Sequence, residues 1–435
     1  MNWPVATTRI GNYGFGPRLG ITRYQLDNGL GLLVLVDPSA PVVCYQTWFA
    51  VGSRHEHEGK TGIAHLLEHL MFNETRDLPY GEFDRQVEAA GAESNAATFL
   101  DWTFYTVSLP ADALPLIMTL ESERMSNLVL RDPQVQSERE VVANERRQTV
   151  DDDVDGAVTE RLYKEAFRRH GYRWPTIGFM ADIEGLTTAD CRRHYDTYYA
   201  PNNATLVVVG DLDEAALLRA AEEHYGHLQP SELPAENAEP EPPQTAERRL
   251  SMRLPTASPK LVMGYRCPAL GDADHPIVVL LNEILFGGRA SRVHRRLVQE
   301  LELASEAHGS IGHFRDPSLY DIYIAARPGQ NLAPVQAALD AVFEQVVAES
   351  VTEAELERAQ ARVELATLQG LETASGKAEQ IGFYDTVLGE PGALFGRLDA
   401  FRSATREAIH EAAKRYLMRR SRTVIELVPE EGDGP

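Results

Sequence analysis

Apolar positions in the first half of the chain alternate between a strand period and a helix period. Residues 1–23 are punctuated by Gly and Pro and read as surface chain; 24–26 then lead into Asp27-Asn28-Gly29. Asn-Gly between apolar runs signals a hairpin, because both residues tolerate the positive φ of a tight turn. The runs 30–36 and 41–51 read as strands, the second rich in β-branched and aromatic residues. A helix opens at Thr61 or Gly62 and runs to about 72, and another covers 82–90 and stops at Gly91. The small-residue strand 94–99, a turn at Asp101-Trp102 and the alternating strand 103–109 follow. Helices are expected over 114–128, from Asp132-Pro133 onward, over 157–167, over 188–199 and over 213–225, with a buried strand at 203–209.

Residues 229–244 are dense in Pro and Glu, a composition that fits no packed element, so a linker is drawn at 229–248. It divides an N-terminal domain, 1–228, from a C-terminal domain, 249–435. Beyond it the pattern restarts: strands at 250–254, 260–265 and 318–326, helices at 275–286, 292–300, 332–349 and 352–367. In both halves an alternating strand (103–109, 319–325) precedes a long helix with an early proline (Pro115, Pro334), and then a Glu-rich helix. The reading is α+β, two homologous half-units, each a mostly antiparallel mixed sheet with helices packed on it. The alternative is two unrelated α+β domains with similar element order.

Composition narrows the function classes. At 435 residues, two or three domains are expected, and 43% hydrophobic with 25% charged residues is ordinary for a globular chain. A net charge of −23 argues against a nucleic-acid partner and fits either plain solubility or an acidic cavity. Cys44, Cys191 and Cys267 are far apart and odd in number, so neither a disulfide framework nor a Cys-based zinc pattern is expected. No run of about 18 apolar residues suggests a membrane span. The expectation is a cytoplasmic chain, or a periplasmic one if a signal peptide has been removed.

The chemistry concentrates in Gly62-Ile63-Ala64-His65-Leu66-Leu67-Glu68-His69. At about 100° per residue a helix puts His65, Glu68 and His69 on one side. Two imidazoles at that spacing make half of a tetrahedral zinc site, and the carboxylate between them can act as base toward water. The order is H-x-x-E-H, and such a site needs a third protein ligand. Glu138 and Glu145 lie seven apart on one helix, hence on one face, with Val141 and Val142 between them on the core side. They are either site carboxylates facing a cation or part of a charged surface helix with internal Glu–Arg pairs. His55 and His57 read as solvated loop.

These residues resemble the pitrilysin-type metallopeptidases, the inverzincins of family M16, and most of all their short bacterial and mitochondrial-processing-peptidase-like branch. The likeness covers nearly the whole chain. It rests on Gly52-Ser53-Arg54 before the motif, on Glu145 76 residues after His69, on Glu138, and on Tyr199-Ala200-Pro201-Asn202-Asn203-Ala204. It implies one Zn2+ per chain held by His65, His69 and Glu145, with Glu68 as general base and Glu138 supporting the site. It implies an endopeptidase that cleaves unfolded peptides in a chamber, of which this chain forms one half-shell. Substrate would add as a strand along Asn95, Ala96, Ala97 and Thr98. Phe72 and Trp102 fit side-chain pockets there or ordinary core packing. Active members carry an Arg and a Tyr seven residues apart in the second half; here Val298 and Ser305 stand at those places. The resemblance therefore implies a heterodimer whose homologous, zinc-less partner supplies the Arg/Tyr pair. The alternatives are a non-catalytic core subunit of a larger complex and a peptidase dedicated to one precursor.

Overall fold

The computed structural model describes residues 7–235 and 240–430. The first six residues of the expected surface segment and residues 236–239 of the expected linker lie outside the described residues. The chain forms two compact units. The first is drawn from Met1–Glu145, Trp174–Asn237 and Gln369–Phe395; the second from Arg146–Arg173, Ala238–Leu368 and Gly396–Pro435.

The first unit holds a seven-stranded sheet of β1 (Thr7–Phe15), β2 (Leu19–Leu26), β3 (Gly31–Val36), β4 (Val42–Phe49), β5 (Glu93–Thr98), β6 (Thr103–Pro110) and β7 (Ala204–Gly210), ordered β1-β2-β3-β7-β4-β6-β5. All neighbours are antiparallel except β3 and β7. The Asn28-Gly29 hairpin joins β2 to β3 as the turn chemistry predicts. Residues 7–15 and 19–23, expected as surface chain, are strand instead. Most of the Thr7–Phe15 side chains stay outside the core, so an edge hairpin leaves no alternating signature.

The motif helix Ile63–Leu70 lies on one face of this sheet. Leu66, Leu67 and Leu70 enter a core shared with Phe83, Val87, Ile117, Val142 and Leu206. Val142 is buried, but Val141 is exposed, against the expectation that both face the core; neighbours on a helix differ by about 100°. On the sheet's other face lies the helix Ala374–Leu388, whose Ala378 and Ile381 pack with Leu33, Leu35, Trp48 and Val209. Gly382 on that helix is pressed against Trp48, and a Cβ there would sit 2.1 Å from the indole nitrogen.

The second unit holds a five-stranded sheet of β8 (Arg248–Leu254), β9 (Lys260–Cys267), β10 (Ala304–Ile311), β11 (Ser318–Ala326) and β12 (Arg422–Pro429), ordered β10-β11-β9-β12-β8. This repeats β5-β6-β4-β7-β3 strand for strand, with one parallel pair at the same place, β12 with β8 as β7 with β3. The two halves are thus copies of one α+β design. In the second copy His275–Phe286 takes the place of the motif helix, and Val154–Ala166, from the first half of the sequence, packs on β9 and β12. β10, the helices after residue 370 and β12 carry no expectation from the sequence pattern. Among the described residues no helix is long and apolar enough to cross a membrane.

Candidate metal centre and substrate edge

Local contacts fix where the motif helix starts. Its N-cap, Gly62, has φ +85°, and a Cβ there would come within 2.5 Å of the Ile177 carbonyl oxygen, so only glycine fits. Glu56 supplies the cap that Gly62 lacks. Its buried carboxylate accepts from the Gly62 N–H at 2.8 Å and the Ala64 N–H at 2.9 Å, satisfying two of the helix's unpaired donors. Thr61 donates to Asp182 at 2.6 Å and accepts from the Phe179 N–H at 2.9 Å, which pins the entry to the helix. Glu56 lies in the His-Glu-His-Glu run read as solvated loop. His57 is exposed as expected, while Glu56 turns inward; no local pattern separates the two.

The helix presents His65, Glu68 and His69 to one side, and the helix Asp132–Arg146 brings Glu138 and Glu145 opposite them. His65 Nε2 stands 3.8 Å from Glu145 Oε1, and His69 Nε2 stands 3.5 Å from Glu145 Oε2. Those separations are long for hydrogen bonds, and they approach the edge of about 3.3 Å in a tetrahedron with ligands near 2.05 Å. Ligand atoms from His65, His69 and Glu145 all fall within 4.8 Å of one another. Two imidazoles and one carboxylate so arranged suit a zinc ion, and three protein donors leave a fourth position open. His55 and His57 are not part of this group.

Glu138 faces the other nitrogen: its Oε2 is 3.6 Å from His69 Nδ1, and its Oε1 accepts from Asn73 at 3.2 Å. That contact favours the tautomer with Nδ1 protonated and leaves Nε2 for the donor set. Burial pulls His69 down, but Glu138 and Glu145 override it and hold it up at about 9. Burial and the neighbouring His69 draw His65 down to about 4. His69 holds both glutamates below the usual carboxylate range. Burial raises Glu68, opposed by Thr98. Glu68 Oε2 and His65 Nδ1 are buried and make no hydrogen bond among the described residues. An unsatisfied carboxylate oxygen beside the donor set is where a water would be held.

β5 is the edge of its sheet, so Asn95, Ala96, Ala97 and Thr98 lie on a strand with one side unpaired. The Ala96 N–H is taken up by the Asn95 side-chain oxygen at 2.9 Å, a local bond that an incoming strand can replace. Beside this strand opens a cleft of about 290 Å³ that reaches Glu68, His69, Phe72, Asn95, Ala96 and Glu138. Tyr80 and Asp84 also line it, and the sequence pattern singled out neither. Phe72 is half-buried, its ring 6.1 Å from those of Phe83 and Tyr105. Trp102 is not at this cleft; it packs with Trp48 and Phe104 in the other core.

Val298 lies in the helical segment His294–Glu300 and Ser305 on β10. Neighbouring Arg295 and Arg296 are both paired with Glu300.

Comparison with known proteins identifies the family. The family model for "Insulinase (Peptidase family M16)" matches residues 33–178, and that for "Peptidase M16 inactive domain" matches 185–363. The chain is 32% identical over 360 residues to the zinc protease PqqE of Helicobacter pylori, covering 81% of this chain and 80% of that one. It is 25% identical over 415 residues to the mitochondrial-processing peptidase subunit beta of Lentinula edodes, covering 90% and 86%. Among solved structures, a protease from Helicobacter pylori superposes with a TM-score of 0.88 at 29% identity, covering 94% of this chain and 99% of that one. The chain belongs to peptidase family M16.

Proposed function

We propose that this chain is a zinc-dependent endopeptidase acting on unfolded peptides in the cytoplasm, with one zinc per chain. The observation that carries the reading is the convergence of His65, His69 and Glu145 on one point, with Glu68 beside it and an unpaired strand edge alongside. A zinc ion supplies Lewis acidity, which activates water and polarises a carbonyl. The rest falls to the chain's own groups. Glu138 orients His69 through Nδ1. The backbone of Asn95–Thr98 pairs with an extended peptide and so aligns its scissile bond. Glu68 takes a proton from water and passes it to the leaving amine. Three buried, unpaired thiols fit a reducing compartment.

This reading includes a partner. Val298 and Ser305 offer neither a cation nor a phenol, and Arg295 and Arg296 are engaged with Glu300. A homologous zinc-less subunit would supply the missing Arg/Tyr pair. The complete donor set favours this over a non-catalytic core subunit. The test is hydrolysis of a quenched unstructured peptide by this chain alone and mixed with such a homologue. Little activity alone and strong activity in the mixture is expected; full activity alone would sink the heterodimer.

A further inference from the structure

We infer that a cavity on the sheet face opposite the motif helix is a binding site for a free α-amino acid, which sets its ammonium on Asp385 and its carboxylate on Arg23. The site goes beyond the endopeptidase reading and does not depend on it. Its origin is one row of the seven-stranded sheet. The register places Gln25 beside Gly31, Gly31 beside Thr205, and Thr205 beside Trp48, across β2, β3, β7 and β4. The next row on the same face is Arg23, Leu33, Val207 and Gln46. There Leu33 and Val207 fill the core under the helix Ala374–Leu388. In the first row Gly31 and Thr205 are too small to do the same. A cavity of about 230 Å³ opens between that row and Asp385 and Thr386, in the helix's last turn.

The charged groups at this cavity are anchored. Asp385 is only 6% exposed. Its Oδ2 accepts from the Thr205 hydroxyl at 3.3 Å. Its Oδ1 lies 3.2 Å from Arg23 Nη2 but accepts no hydrogen bond among the described residues. Burial pushes the Asp385 carboxyl up and Arg23 offsets only part of that, so the ionised form is short of positive charge. Arg23 gives one N–H to the Gly389 carbonyl at 3.2 Å, and a guanidinium has further donors for a carboxylate. Among the described residues these two are the charged side chains that line the cavity, one of each sign. A lone ammonium would meet the Arg23 charge, and a lone carboxylate would meet Asp385. A ligand with both charges side by side matches the pair, and an α-amino acid carries them on one carbon. Trp48 and Ile10 offer its side chain an apolar wall. Asn202 and Asn203, from the segment 199–204, fix the rim: Asn202 exchanges two hydrogen bonds with the Ser231 backbone at 2.9 Å, and Asn203 donates to the Tyr198 carbonyl at 2.9 Å.

The experiment is a calorimetric titration of the full chain with leucine, leucinamide and N-acetylleucine, with zinc bound and again after zinc is removed. Leucine is expected to bind with a Kd of about 1 mM or tighter, equally in both metal states. Leucinamide lacks the carboxylate and N-acetylleucine lacks the ammonium; each should bind about tenfold more weakly or worse. Arg23→Gln should remove the advantage of leucine over leucinamide, and Asp385→Asn its advantage over N-acetylleucine. The three ligands are compared on the unmodified chain, so the test holds even where a substitution unfolds the protein. No binding of leucine, or equal binding of all three ligands, overturns the site. Binding that disappears with the zinc also overturns it, and places the amino acid at the metal centre instead.

Discussion

At His69 two carboxylates meet one imidazole, Glu138 at Nδ1 and Glu145 at Nε2, 3.6 and 3.5 Å away. The nitrogen that each faces separates their roles: Glu145 shares a vertex with His65, whereas Glu138 stands behind the ring. Glu138→Gln should therefore keep the metal but bind it about 10- to 100-fold more weakly, as read by chelator competition. Zinc binding equal to that of the unmodified chain would remove Glu138 from its supporting role. His65, Glu68 and His69 are legible in the sequence because a helix fixes their relation over one turn. Glu138 and Glu145 stay ambiguous there, since spacing gives a shared face but not what the face meets. Glu56, Tyr80 and Asp84 are not legible, because each acquires its role through contacts made by the fold.

The two central helices show how one element position serves different ends. The motif helix opens on a left-handed glycine capped by Glu56 and turns Glu68 and His69 to a cleft. Its counterpart His275–Phe286 starts with a histidine that is fully buried. His275 Nδ1 faces the Arg397 guanidinium at 2.8 Å, and Nε2 lies 3.0 Å from the Gly312 carbonyl oxygen. Burial, then the Arg397 charge, pulls this imidazole down to about 3. Its folded pKa lies below the unfolded value of about 6.5, so its stabilising contribution is present above pH 6.5. It is lost as pH falls from there towards 3. Other buried histidines such as His65 and His313 are also drawn down, so between pH 6 and 4 His275→Asn should reduce the pH dependence of denaturant unfolding by one proton, about 1.4 kcal/mol per pH unit. An unchanged slope in the variant would contradict the neutral buried form. Element type and order are mostly readable from periodicity, while β1 and β10 are not, because edge strands carry small or polar residues on both faces.

Across the whole chain, the duplication is visible both in the repeated strand–helix pattern and in the matching sheet orders. The exchange of segments is not, because nothing local tells a helix which sheet it will cover. Ala374–Leu388 completes the core formed by Leu33, Leu35, Trp48 and Val209, more than 160 residues later in sequence. Residues 1–228 made alone would leave that apolar face open to water. The expected result is a fragment that aggregates or lacks a cooperative thermal transition; a stable, soluble fragment with a sharp transition would contradict the interleaved core. The proposed mechanism depends most on Glu68, the carboxylate assigned to water rather than to metal. The most direct measurement is zinc content and peptide hydrolysis of the Glu68→Gln chain, mixed with the proposed zinc-less homologue, beside the unmodified chain in the same mixture. About one zinc per chain in both, with hydrolysis lowered about 10²- to 10⁴-fold in the variant, is the predicted result. Hydrolysis at an undiminished rate by the metal-loaded variant would contradict it.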